Sequence, residues 1–185
     1  MHNPPRATST TRYAPEIPLP AYSYVTGRFP HPIGDPRGHS FGQAPAKATC
    51  PPSELWRDSQ VFRFAVDLFN HGYYWESHEA WESLWHASGR GGTTADFFKA
   101  LIKIAAAGVK AREGRPEGWR RHLRRADELL AKTQQRIRPY APRYFGLELA
   151  ELMAAVAKAR TAGPPADAAT DDAVRIVFPF QLLPQ

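Results

Sequence analysis

The chain has 185 residues, 43% of them hydrophobic, a formal net charge of +6 and a pI near 9.7. That length holds one domain of ordinary size with extensions. It has no apolar run of the roughly 18 residues a spanning helix needs, no apolar stretch behind the N-terminal charges to make a secretory signal, and one cysteine, Cys50. These features exclude a membrane span, a disulfide framework and a multi-cysteine zinc site, and they lead us to expect a cytoplasmic chain with no membrane partner.

Charge is unevenly placed. Glu54–Lys99 carries 4 Lys/Arg against 7 Asp/Glu, whereas Lys103–Arg143 carries 12 against 4. An acidic part of the fold is followed by a strongly basic one, and a basic surface attracts polyanions.

Residues 1–52 hold 11 of the 18 prolines and no helical periodicity. Proline fixes φ and removes a backbone donor, so this arm is read as extended or disordered. A denser patch from Tyr22 to Phe41 contains His31, Asp35, His39 and several aromatic residues. The arm is therefore either a flexible tail or an extended segment lying on a folded core.

Residues 53–160 are read as the helical domain. The first helix spans Ser53–Asn70, with Leu55, Val61, Phe62, Ala65 and Phe69 at helical spacing. Asn70-His71-Gly72 ends it. The second helix covers Tyr73–Ala87. Thr93-Thr-Ala-Asp96 has the form of a capping box, and a third helix runs to Arg112. Its stretch Leu101–Ala107 is apolar almost all round and so belongs at the centre. Pro116 and Glu117 suit a helix start. The fourth helix, Glu117–Arg138, bears one stripe of Trp119, His122, Leu123, Ala126, Leu130, Thr133 and Ile137, with arginines outside it. A fifth helix covers Leu147–Arg160. Residues 161–185 are read as a linker and an extended tail, in which Val174, Ile176, Phe178 and Phe180 alternate toward the core. The expected architecture is all-α: a compact bundle of about five helices.

The second helix, Tyr73–Trp85, does not separate into apolar and solvated faces. At roughly 100° per residue, His78, Glu82 and Trp85 fall within roughly 60° of one another, with Glu76 and Glu79 alongside. His78 and Glu82 are one turn apart and can reach one divalent metal, with Glu79 beside them as a base for a bound water. A third ligand must come from elsewhere. His122, on the apolar stripe of the fourth helix, is the candidate of most interest; His71, His31 and His39 are others. Glu79 and Glu76 are the candidate acid/base residues, and His78, Glu82 and His122 the candidate metal ligands. The competing reading is structural: the three glutamates pair with Lys99, Lys103 or the arginines of the fourth helix, and His122 is a satisfied core histidine.

Phe69-Asn-His-Gly-Tyr-Tyr-Trp-Glu-Ser-His-Glu-Ala-Trp-Glu-Ser-Leu-Trp85 resembles the signature of the family called domain of unknown function 309. Its pattern is an Asn-x-Gly turn, Glu-x-His-Glu-x-x-Glu, then Trp two residues after a Leu-like position; here Leu84 and Trp85 are adjacent. Phe98–Ala107 is similar to the second block, with Lys99 and Lys103 where Gln-like or small residues are expected. Gly118, Trp119, Leu123 and Ala126 are similar to the third. The resemblance covers about Glu54–Ile137 and implies a compact all-helical fold with a site on the second helix. It implies no reaction.

Two function classes stand side by side. One is a metal-dependent or acid/base hydrolase-like enzyme, its cofactor a divalent metal and its substrate an unspecified small molecule. The other is a non-catalytic binding or structural module whose basic helix contacts nucleic acid or another polyanion. The oligomeric state is left open.

Overall fold

The computed structural model describes residues 11–43, 48–137 and 141–185. Five α-helices form the bundle: α1 (Gln60–Asn70), α2 (Tyr74–Ala87), α3 (Gly92–Arg112), α4 (Pro116–Ile137) and α5 (Leu149–Ala162). Two-residue strands β1 (Arg143–Tyr144) and β2 (Leu147–Glu148) form a small antiparallel hairpin that pairs Tyr144 with Leu147.

The predicted first helix is two pieces. A 3-10 segment covers Ser53–Asp58, and α1 begins only after Ser59, whose Oγ accepts from the Phe62 amide at 3.2 Å. Serine satisfies an early helix donor from outside the helix, so it starts a new helix rather than continuing one. The capping box at Thr93 does not form either. Gly91 precedes α3 without a side-chain cap, and Asp96 instead receives Lys132 and Arg136 of α4 at 2.9 and 2.8 Å. The predicted end of the fourth helix, at Arg138 and Pro139, lies outside the described residues.

Helix α3 is central and packs on both α2 and α4. Its contact with α2 needs Gly108, because a Cβ there would lie 2.5 Å from the fully buried Tyr74 ring. Helix α4 presents Trp119, Leu123, Ala126, Leu130 and Thr133 to the core. Trp119 Nε1 donates to the Ala159 carbonyl of α5 at 3.2 Å.

The C-terminal tail packs on the core, but not by alternation. Val177 and Phe178 are both buried, while Ile176 is exposed. Backbone anchors override the period of two: the Val177 amide donates to Tyr74 Oη at 2.9 Å, and Asn70 both donates to and accepts from the Leu182 backbone at 2.8 Å. Phe178 stacks on Trp119 with ring centroids 4.6 Å apart.

The described part of the arm lies on α1 and α2, held by two buried carboxylates. Asp67 of α1 is fully buried and accepts from the Tyr13 amide (2.7 Å), the Ala14 amide (2.8 Å) and Arg12 Nε (2.8 Å). Glu76 of α2 accepts from the Tyr24 amide at 2.8 Å, from Ser23 Oγ at 3.2 Å and from His39 Nε2 at 3.2 Å. Ala14, Ser23 and Val25 are buried as a result. Of the two readings of this segment, the extended arm lying on the core is the one its described residues adopt. No helix among the described residues is long and apolar enough to cross a membrane.

Candidate functional site on helix α2

Helix α2 is fixed on its inner side by Tyr74, Ser77, Trp81 and Leu84, all buried. That leaves His78, Glu79 and Glu82 half-buried on the outer flank. One ligand atom from each of these three lies within 4.8 Å of the other two. His78 Nδ1 and Glu79 Oε1 are 3.2 Å apart. Among the described residues, Glu82 makes no hydrogen bond and no ion pair within 4 Å.

The expected ion pairs of the structural reading do not form among the described residues. Glu76 meets His39, Glu79 meets His78, and Lys99 Nζ sits 5.6 Å from the Trp85 ring centroid. Lys103 is close enough to Glu82 for their charges to interact, although burial, Lys99 and Arg125 together hold its ammonium below the ordinary lysine range.

His122 of α4 comes to the same region. Burial first, then the positive charges of Lys103, Arg121 and Lys110 and the neighbouring His78, push its imidazole down to about 4. It is therefore neutral at pH 7 with a lone pair to give. Among the described residues it makes no hydrogen bond. Its nitrogens are not part of the close cluster formed by His78, Glu79 and Glu82.

Glu76 is placed differently from the other three. It is buried, and its two oxygens are occupied by the three donors of the arm. His71 Nδ1 lies 2.7 Å from the Asp67 carbonyl, within its own turn. His31 Nδ1 accepts from the Ile33 and Gly34 amides, and its ring packs edge-on against Trp75. Asp35 is held at about 2 by hydrogen bonds from its neighbour Arg37.

Trp75 is a ridge between two cavities. One, of about 330 Å³, lies between the arm and α1/α2, where Pro20, Ile33, Phe64 and Leu68 face His39, Glu76 and Glu79. The other, of about 260 Å³, lies on the α3 side and is lined by Tyr24, His78, Lys110 and Glu113. The α2 cluster thus borders a small cavity on each flank. The larger of the two has the scale of a small-molecule site, at the lower end of the roughly 300–1,000 Å³ range.

The site residues missed at the sequence level are Ser23, Tyr24 and, in its contact with Glu76, His39. Two of the three contacts with Glu76 come from a side-chain hydroxyl and a backbone amide more than fifty positions away, and neither has a local pattern. The histidine-rich patch of the arm was the available signal for His39.

The described residues form an all-α bundle in which an Asn-x-Gly turn leads into a Glu-x-His-Glu-x-x-Glu helix. The model of the family described as Domain of unknown function (DUF309) matches residues 62–122, in agreement with the resemblance carried by the α2 motif. The match runs from α1 into the first turns of α4 and takes in His78, Glu79, Glu82 and His122. No curated protein matches the chain.

Proposed function

We propose that α2 carries the divalent-metal centre of a hydrolytic enzyme. In this reading His78 and Glu82 are ligands, Glu79 is the base for a metal-bound water, and His122 is the third protein ligand, reached from α4. The observation that carries it is the convergence of one imidazole and two carboxylates within 4.8 Å. Small side-chain rotations bring such atoms to the roughly 2.0–2.2 Å of metal bonds. Two adjacent carboxylates favour a cation between them, and a bound metal turns water into a nucleophile at neutral pH. The neutral state of His122 supports the assignment, since an imidazolium cannot ligate. Glu76, saturated by the arm, has no proton-transfer role here.

The test is metal analysis of protein purified without a polyhistidine tag, with denaturant melting in the presence and absence of zinc, manganese and iron. Metal should raise the wild-type midpoint but not that of His78→Ala or Glu82→Gln. Equal, metal-independent destabilisation by both substitutions would leave the cluster as architecture.

A second reading is favoured by one observation. Arg120, Arg121 and Arg124 of α4 and Arg160 of α5 surround a solvent-open cavity of about 510 Å³, with Glu117 at its edge. Such a basin attracts phosphate groups of nucleic acid or another polyanion without reading sequence. If DNA and RNA fail to bind even at low salt, this reading falls.

A further inference from the structure

The arm brings a second group of reactive side chains to α2, distinct from the His78 cluster. Ser40 Oγ lies 2.9 Å from His39 Nδ1, and His39 Nε2 lies 3.2 Å from Glu76 Oε1. All three residues line the cavity of about 330 Å³ between the arm and α1/α2. We propose that Ser40, His39 and Glu76 form a nucleophilic relay whose substrate is a small ester with an apolar acyl group.

The order of the groups follows from their hydrogen bonds. A carboxylate only accepts, so the Glu76 contact selects the tautomer with a proton on Nε2. That leaves the Nδ1 lone pair facing the Ser40 hydroxyl, which is the arrangement of a general base beside its nucleophile. The carboxylate is itself held, by the Tyr24 amide and Ser23 Oγ, so the ring is oriented from behind. The side chains of His39 and Glu76 are only 11% and 6% exposed.

The loop that carries the pair is rigidly built. The Ser40 amide donates to the Pro32 carbonyl at 3.0 Å, and the His39 ring packs on Tyr22 with centroids 4.7 Å apart. Gly38 admits no side chain, because a Cβ would lie 2.3 Å from the carbonyl oxygens of His31 and Pro32. A hydroxyl capping a ring in a mobile tail would need none of this support. The cavity walls give the substrate class: Pro20, Ile33, Phe64, Leu68 and Trp75 are apolar, and the polar groups gather at His39, Ser40, Glu76 and Glu79.

In the reaction, Ser40 Oγ bonds to the acyl carbon while its proton passes to His39 Nδ1. The ester C–O bond then breaks, and that proton leaves with the alcohol. Water attacks the acyl-serine, gives one proton to His39, and the acid departs as Ser40 regains its hydrogen. Glu76 faces the imidazolium at each transfer.

The experiment uses the full chain with a fluorophosphonate probe and p-nitrophenyl butyrate, each with and without a chelator, so that the relay is separated from the metal reading. A stoichiometric adduct on Ser40, located by peptide mass spectrometry, should abolish ester hydrolysis, and Ser40→Ala should abolish both. His39→Gln keeps a donor toward Glu76 and should slow labelling at least about 100-fold. Its unfolding midpoint checks that the arm remains docked, and His39→Asn replaces it if the midpoint falls. No adduct on Ser40 in the wild type, or labelling at the wild-type rate without His39, would overturn the proposal.

Discussion

Asp67 gives the sharpest test of how the arm is attached. Its carboxylate has no exposed surface and is surrounded by two backbone amides and one guanidinium, all at 2.7–2.8 Å. Asp67→Ala removes the acceptor and leaves the Tyr13 and Ala14 amides without a partner, while Arg12, 21% exposed, recovers part of its solvation. Hydrogen bonds to a charged group contribute about 1.5–3 kcal/mol each, and breaking a buried charged pair costs about 3–5 kcal/mol in total. With one of the three donors partly hydrated, the lower half of that range is expected, about 3–4 kcal/mol. For a domain of this size that is a fall in melting temperature of about 6–16 °C, at about 2–4 °C per kcal/mol. Urea unfolding followed by tryptophan fluorescence reads it directly, and Trp56 and Trp75, which pack against Tyr13 and Tyr24 of the arm, report its release. The composition change at Pro51-Pro52 suggests that the helices fold without residues 1–52. The structure adds that such a truncated chain orphans both Asp67 and Glu76, so it should stay helical at a stability lowered by at least the Asp67→Ala amount. A loss below about 1 kcal/mol for Asp67→Ala would refute the reasoning and return the arm to a tail.

Gly108→Ala should destabilise by about 1–3 kcal/mol in chemical denaturation, although alanine is the better helix former, because the new methyl meets the Tyr74 ring. The imidazole of His122 is depressed from 6.5 to about 4 in the folded protein, so the unfolded chain takes up a proton first. Its contribution to stability is therefore whole above pH 6.5 and is lost as pH falls toward 4; His122→Asn should flatten the stability profile across that window. Replacing Arg120, Arg121, Arg124 and Arg160 with Gln should flatten the salt dependence of any polyanion binding by roughly 0.7–0.9 in log–log slope for each phosphate the arginines no longer neutralise. An unchanged slope would place the binding surface elsewhere.

The bundle was legible because its helices carry their own signals. The apolar stripe of α4 and the all-round apolar stretch of α3 are periodic, and Asn70-His71-Gly72 and Gly114-Arg115-Pro116 punctuate them. Gly72 in particular must be glycine, with φ +89° and the Arg175 carbonyl 2.8 Å from where a Cβ would stand. The hairpin of β1 and β2 was not legible. Its two-residue turn is Phe145-Gly146, both at positive φ, and phenylalanine is a poor turn residue. Tertiary packing overrides that local preference: the buried Phe145 ring stacks on Phe97 and meets Phe98 and Phe62. The tail failed for a related reason, since alternation cannot register the hydrogen bonds that the Val177 and Leu182 amides donate to Tyr74 and Asn70, which fix a tail with Val177 and Phe178 both turned inward.

Part of the α2 site was legible for a local reason: i, i+1 and i+4 positions on one helix are close whatever the tertiary fold, so His78, Glu79 and Glu82 could be grouped from spacing. What spacing could not supply is the different environment of each glutamate. Glu76 and Glu79 are about one turn apart, yet Glu76 is buried under the arm with three donors while Glu79 stays 40% exposed beside His78. The division is made by the arm, whose hydrogen bonds reach Glu76 but, among the described residues, neither Glu79 nor Glu82. The arm therefore does more than cover apolar surface. In the proposed metal reading, its hydrogen bonds to Glu76 take one of three neighbouring carboxylates out of competition for a cation and leave His78, Glu79 and Glu82 as the ligand set. Weakening the arm at Asp67 should release Glu76 as well, and the proposed metal binding at α2 should then lose selectivity before it loses affinity. Titrating zinc and manganese into Asp67→Ala and wild-type protein by calorimetry checks this. An unchanged ratio of the two affinities would show that the arm plays no part in defining the ligand set.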